Sequence, residues 1–213
     1  MTVVGIVPAA GRGERLGEGV PKALVVCAGR PLLEWSLEVL EGVCDRVVVA
    51  LPPGHEGGPD RVSGGASRSE SVRNALAAAP EADVAVVHDA ARPLVTGELV
   101  LACVSEVRAG WDGAVAAARV TDTVKEAGDD LRVERTLDRS RLWAIQTPQA
   151  FRADVLRRAL DAPSEVLAAA TDDASLVEAA GGSVRVVEAP PENMKVTSPL
   201  DLERAERLLA ARC

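Results

Sequence analysis

Histidine, cysteine and positive charge are all scarce in this chain, and each shortage removes a class of function. Only two histidines occur in 213 residues. No serine sits in a nucleophile-elbow motif, so a hydrolytic triad is not expected. The four cysteines, Cys27, Cys44, Cys103 and Cys213, are scattered, with no C-x-x-C pair and no nearby histidine to complete a zinc site. Free thiols of this kind suit a reducing compartment. Lys and Arg number 24 against 32 Asp and Glu, a net charge of −8, which argues against a protein that coats nucleic acid. No apolar run approaches the ~20 residues needed to span a bilayer, so no membrane association is expected. The first residues lack the basic start and cleavage site of a secretory signal, and a cytoplasmic location is the expectation.

Two phosphate-binding motifs are also missing, although their beginnings are present. The stretch "VPAAGRGERLGEGVPKAL" (7–24) follows an apolar run and is rich in small residues. Its Lys22 lies between Pro21 and Ala23, where a Walker A loop needs Gly-Lys-Ser/Thr. Gly11 and Gly13 open a dinucleotide fingerprint, but Leu16 occupies the third glycine position and the second strand-like run ends without a ribose-binding acid. What remains is a loop whose small residues Ala9, Ala10, Gly11 and Gly13 let backbone N–H groups approach an anion or a base edge. Arg15 can bracket phosphate oxygens as a fork and Lys22 can add a compact charge. A solvated surface loop with ordinary bases is the plainer account of the same residues.

Around this loop the pattern is α/β. Valine-rich runs at 2–8, 46–51, 83–88, 113–120 and 183–189 read as strands buried on both faces of a mostly parallel, Rossmann-like open sheet. Helical patterns at 31–41, 68–79, 97–109, 171–180 and from Ser198 onward would cover both faces. Thr171 is placed as the N-cap of one helix, and Ser198, Pro199 and Asp201 as the opening of the last. The length suits one domain over 1–213. The segment 120–143 departs from the pattern: short alternating runs flank a Gly-Asp-Asp turn, giving a projecting hairpin arm of the kind that joins subunits. The Pro/Gly-rich 51–60 reads as a surface loop.

Further residues gather at the same sheet edge. Asp89 directly follows a strand in "VVHDAARP", where an acid can hold a divalent cation against a polyphosphate, with Ala90 and Arg92 close behind. An acid capping its loop is the alternative for Asp89. His88 is expected to pack or bond locally. In "SGGASRSESV", Gly64 and Ser71 suit recognition of a base edge, or simply a turn and helix caps. Lys195 can be a solvated lysine, and Thr171 can cap and still meet a ligand at its helix N-terminus.

Taken together and in order, "PAAGRGERLGEGVPK", "GGASRSESV", "VHDAARP" and "TPQAF…TDDASLVE…NMKVTSPLDL", with "DTVK" and "DRSRLWAIQTPQ" between, resemble the 2-C-methyl-D-erythritol 4-phosphate cytidylyltransferases. The resemblance implies a nucleotidyltransferase of the nucleotide-diphospho-sugar transferase type. It would transfer CMP from CTP to the methylerythritol phosphate with release of pyrophosphate, in isoprenoid precursor synthesis. It also implies roles for individual positions. Ala9, Ala10, Gly11, Gly13, Gly64, Ser71, Asp89, Ala90 and Arg92 would bind CTP. Arg15, Lys22 and Lys195 would be catalytic, and Asp89 would hold magnesium. Thr123, Arg139, Thr171 and Lys195 would handle the acceptor, with Thr123 and Arg139 reaching it across a homodimer through the 120–143 arm. Ala66 departs from the family, which often has an acidic or polar residue there. Ribitol-5-phosphate cytidylyltransferases share much of this signature, and a non-catalytic nucleotide-binding module is the reading of a different class. Neither needs nucleic acid or a membrane. A phosphate-monoester nucleophile, with a second pKa of about 6, needs no general base; positioning and positive charge carry the reaction.

Overall fold

The expected alternation of strands and helices is present in the computed structural model, which describes residues 1–11, 21–55 and 57–212. The strands β1 (Val3–Pro8), β4 (Arg46–Leu51), β5 (Arg61–Ser63), β6 (Val84–Val87), β7 (Gly113–Arg119), β10 (Trp143–Arg152) and β11 (Val184–Glu188) form one seven-stranded sheet. Its order is β11-β7-β10-β6-β1-β4-β5. Every pairing is parallel except those of β10, which runs antiparallel to both β6 and β7.

Alternation along each strand sends side chains to opposite faces, and both faces are buried. Val4, Ile6, Val48, Ala50, Ala85 and Val87 pack beneath α2 (Arg68–Ala77), α4 (Ala153–Leu160) and α6 (Asp173–Ala179). Val3, Val7, Val49, Val84 and Val86 face α1 (Leu32–Glu41) and α3 (Gly97–Arg108). A third cluster joins α7 (Pro199–Ala210) to the small hairpin of β2 (Val26–Cys27) and β3 (Arg30–Pro31). Cys27, Cys44 and Cys103 are free thiols, and burial pushes the last two up to about 12. Cys213 lies outside the described residues.

Three sequence expectations need correction. First, β10 is a full-length strand in the middle of the sheet, although its stretch "WAIQTPQAFR" was not expected as one. Pro148 and three polar residues disguise it, and its pairing with β7 shifts register between Ile145 and Gln149. That irregularity accommodates a proline that cannot donate to the ladder. Second, α4 and the short α5 (Ser164–Ala169) occupy a region in which no helix was expected. Third, Asp172 rather than Thr171 caps α6: its carboxylate accepts from Ser175 N–H at 2.9 Å, a charge-assisted contact that a hydroxyl does not match.

The last helix opens as expected, with a capping box in which Ser198 and Asp201 satisfy each other's backbone N–H. The arm is a hairpin of β8 (Lys125–Ala127) and β9 (Val133–Thr136), and β9 is exposed throughout. Among the described residues no helix is long and apolar enough to cross a membrane.

Candidate active site: a cleft at the carboxyl edge of the sheet

β1 and β6 are parallel neighbours, so the loops that leave them open side by side. Between these loops and the start of α2 lies a cleft of about 640 Å3. Its walls are residues 8–11 with Lys22 on one side and residues 65–68 with Ser71 on another; residues 89–91, Lys195 and Thr197 complete it. Open α/β sheets place ligands at this edge, between strands that diverge in connection.

Small residues keep the β1 loop thin. Among the described residues nothing lies within 4 Å of where a Cβ on Gly11 would stand. Lys22 N–H donates to Gly11 O at 3.3 Å, and Lys22 stands on the cleft wall. Gly13 and Arg15 lie outside the described residues.

The paired glycines serve packing as well as access. A Cβ on Gly64 would come 2.4 Å from Ala10 Cβ, and one on Gly65 would come 2.3 Å from Glu70 Cβ. Gly65 and Ala66 line the cleft, whereas Gly64 stands behind it and donates its N–H to Leu51 O at 2.7 Å. Ser71 also lines the cleft, but its hydroxyl is largely committed: it accepts from Gly65 N–H at 3.0 Å and donates to Ser67 O at 2.9 Å. One lone pair remains for a ligand.

Asp89 is the electrostatic centre. Its Oδ1 accepts from Arg68 Nε at 3.1 Å and its Oδ2 from Lys195 Nζ at 2.7 Å, while Arg92 Nε stands 4.0 Å away. Its own N–H donates to Thr147 Oγ1 at 3.0 Å, which ties the loop to β10. Burial alone would raise this carboxyl, but Arg68, then Lys195 and Arg92, outweigh burial and hold it well below the usual carboxylate range. Lys195 is delivered by the β11–α7 connection, whose Val196 N–H bonds Ala91 O at 2.8 Å. Arg92 is itself buried and donates to Asn193 O at 2.8 Å, bracing the Asp89 loop rather than lining the cleft. Ala90 lines it.

His88 is wholly buried beside this loop, with Nε2 3.2 Å from Arg92 O and Nδ1 3.2 Å from Thr147 Oγ1. Burial pushes its pKa down to about 4, so it sits there neutral, packed and locally bonded as expected.

A model of the 2-C-methyl-D-erythritol 4-phosphate cytidylyltransferase family matches residues 3–211. The chain belongs to that family. Its membership makes it an enzyme, a cytidylyltransferase of the nucleotidyltransferase class. The family's protein from Saccharopolyspora erythraea is 44% identical over 227 residues, covering 99% of this chain and all of that one. That from Frankia casuarinae is 47% identical over 222 residues, covering 99% and 82%. The crystal structure of the Thermus thermophilus cytidylyltransferase superposes with a TM-score of 0.82 at 37% identity, covering both chains in full.

Among the residues that the family resemblance singles out, the cleft brings together Ala9, Ala10, Gly11, Lys22, Ser71, Asp89, Ala90 and Lys195. It does not include Thr123, Arg139 or Thr171, all three exposed. Thr123 and Arg139 belong to the arm segment, where the Arg139 guanidinium donates to Thr121 O. Thr171 immediately precedes the cap of α6.

Sequence reasoning passed over Arg68 and Asp173. Arg68 lines the cleft and links Asp89 to Asp173, which it meets at 2.7 Å across 105 residues of sequence. The one available signal was an arginine in a helix first turn, where the macrodipole disfavours a cation unless an acid answers it.

Proposed function

We propose that this cleft is where the chain joins CTP to 2-C-methyl-D-erythritol 4-phosphate, forming 4-diphosphocytidyl-2-C-methyl-D-erythritol and pyrophosphate. The observation that carries the reading is the Asp89 carboxylate, held between Arg68 and Lys195 in a cleft also lined by the small residues Ala9, Ala10 and Gly11. Such a lining takes a nucleotide, and such a charge cluster takes a triphosphate and an acceptor phosphate.

In this reading Ala9, Ala10, Gly11 and Gly13 bind the nucleotide through their backbone. Gly65 and Ala66 present the base-facing surface that Gly64 and Ser71 support. Arg15 and Lys22 neutralise the triphosphate. Lys195 receives the acceptor phosphate. A phosphate oxygen, mostly ionised near pH 7, attacks the α-phosphorus in line, and pyrophosphate leaves with the bonding pair. No side chain has to remove a proton, which agrees with the burial of His88.

Asp89 suits one divalent cation, because magnesium is commonly held by one or two carboxylates plus substrate phosphates. Among the described residues no group of three or more acids, histidines or cysteines is gathered, and substrate phosphates would complete the ion's ligands beside Asp89. Magnesium, when bound, adds positive charge against the triphosphate. Asp89 would hold such an ion together with the substrate phosphates, while Lys195, paired with Asp89 Oδ2 at 2.7 Å, presents its ammonium to the acceptor phosphate.

Thr123 and Arg139 then serve a neighbouring subunit's cleft through the 120–143 arm, with Thr171 on the acceptor side. This places the whole chain in one catalytic unit within a homodimer, acting in the cytoplasm. The arm's exposed Leu131 and Val133 support such pairing. The test is pyrophosphate release with each of CTP, UTP, ATP and GTP against methylerythritol 4-phosphate and ribitol 5-phosphate. Release confined to CTP with the methylerythritol ester is expected. Faster turnover of the ribitol ester would reassign the acceptor, and nucleotide binding without release would overturn this reading of the cleft.

A further inference from the structure

Asp173 is a charged group with no evident use. Its side chain is entirely buried, its Oδ1 has no hydrogen-bond partner among the described residues, and α6 is capped by Asp172 instead. Burial raises its pKa, and Arg68 only partly offsets that effect. A carboxylate kept in such a place costs stability unless its charge is used. Its partner is equally specific. Arg68 gives Nη1 to Asp173 Oδ2 at 2.7 Å and Nε to Asp89 Oδ1 at 3.1 Å. One planar guanidinium thereby spans from the first residue of α6 to the carboxylate at the end of β6.

We propose that Asp173 and Arg68 are positioning residues, a strut that fixes the Asp89 carboxylate and through it the ammonium of Lys195. The two oxygens of Asp89 are divided between two cations: Arg68 takes Oδ1, which leaves Oδ2 turned to Lys195. A guanidinium fork fixes orientation where an ammonium fixes only distance. Without Asp173, Arg68 keeps a single anchor and can swing into the cleft it lines. Asp89 then rotates, and Lys195 loses its direction toward the acceptor. Asp173 repels Asp89 through space, and the hydrogen-bonded link between the two carboxylates is Arg68.

The inference rests on the reading of the cleft as the transfer site, and its test is chosen to separate the two. Asp173→Asn and Arg68→Lys preserve approximate size while removing the buried charge or the fork. The first readout needs no activity: labelling of Lys195 by an amine-selective reagent, read by peptide mass spectrometry at matched far-UV circular dichroism. Both variants are expected to raise it about threefold or more, because the ammonium is no longer held. The second readout is turnover, expected to fall about tenfold or more, as when supporting residues behind a site are removed. The double variant should be no worse than either single one, because both break the same strut. Unchanged Lys195 labelling in both variants would overturn the strut, as would effects on turnover that multiply in the double variant. Raised labelling in a protein whose wild type releases no pyrophosphate would instead uphold the strut and sink the transfer reading.

Discussion

Gly64 and Ala10 touch so closely that no side chain fits between them: a Cβ on Gly64 would stand 2.4 Å from that of Ala10 and 3.1 Å from Ser71 Oγ. The loop after β1 and the loop before α2 are thus pressed together by the smallness of both residues. Gly64→Ala must push one of them away. We expect about 1–3 kcal/mol of lost stability from overpacking, together with weaker CTP binding, because the displaced loop is a cleft wall. Urea unfolding and calorimetric titration check both, and a variant with wild-type values in each would show that the contact is not tight.

Charge at the cleft should govern the rate. Lys22→Ala and Lys195→Ala are each expected to lower turnover well over tenfold, in line with the roughly 2.7–4 kcal/mol lost with one preorganised contact to a transition state. Arg15→Ala belongs to the same group. The melting temperature should fall for Lys195→Ala, which takes a 2.7 Å partner from the buried Asp89 carboxylate, so its turnover is to be compared below the onset of unfolding. Pyrophosphate release at the wild-type rate would remove the residue concerned from the mechanism.

The legible part of this architecture was its buried valine strands, because a run such as "VVGIVP" has few other stable places in an α/β chain. The β10 stretch was illegible for the opposite reason. Gln146, Thr147 and Gln149 are buried polar residues that look solvent-facing, and each is occupied in tertiary bonds to Asn193, Asp89 or Asp172. Local pattern cannot anticipate partners so far along the chain. Asp89 and Lys195 were found as separate motifs; that Arg68 and Asp173 complete them is a product of the fold alone.

Acid should weaken the fold through His88. Its folded pKa of about 4 lies below the usual 6.5, so its contribution is complete above pH 6.5 and is lost as pH falls toward 4. The window implies roughly 3 kcal/mol, at about 1.4 kcal/mol per pH unit. Denaturant unfolding at pH 7 and at pH 4.5 should therefore differ less for His88→Gln than for the wild type, whereas parallel pH profiles would contradict the burial argument. Carboxylates such as Asp89 titrate in both proteins and cancel in the comparison.

If Arg139 acts in a partner's cleft, damage on two different chains should be repaired by mixing. Arg139→Ala and Lys22→Ala chains are each expected to be nearly inactive alone. Refolded together they should regain on the order of a quarter of the wild-type sites, the share expected when half the dimers are mixed and each holds one intact site. No recovery in confirmed mixed dimers would confine each site to a single chain.

The position of β10 carries one more consequence. The strand starts at Trp143, beside the foot of the hairpin, and four residues later its Thr147 holds the amide of Asp89. Hairpin and carboxylate are therefore mounted on one strand, which pairs with β7 at Trp143–Ile145 and with both β6 and β7 from Gln149 onward. Whatever seats the hairpin also sets the alignment of the cleft, so grafting a foreign hairpin onto this chain would retune its chemistry as well as its assembly.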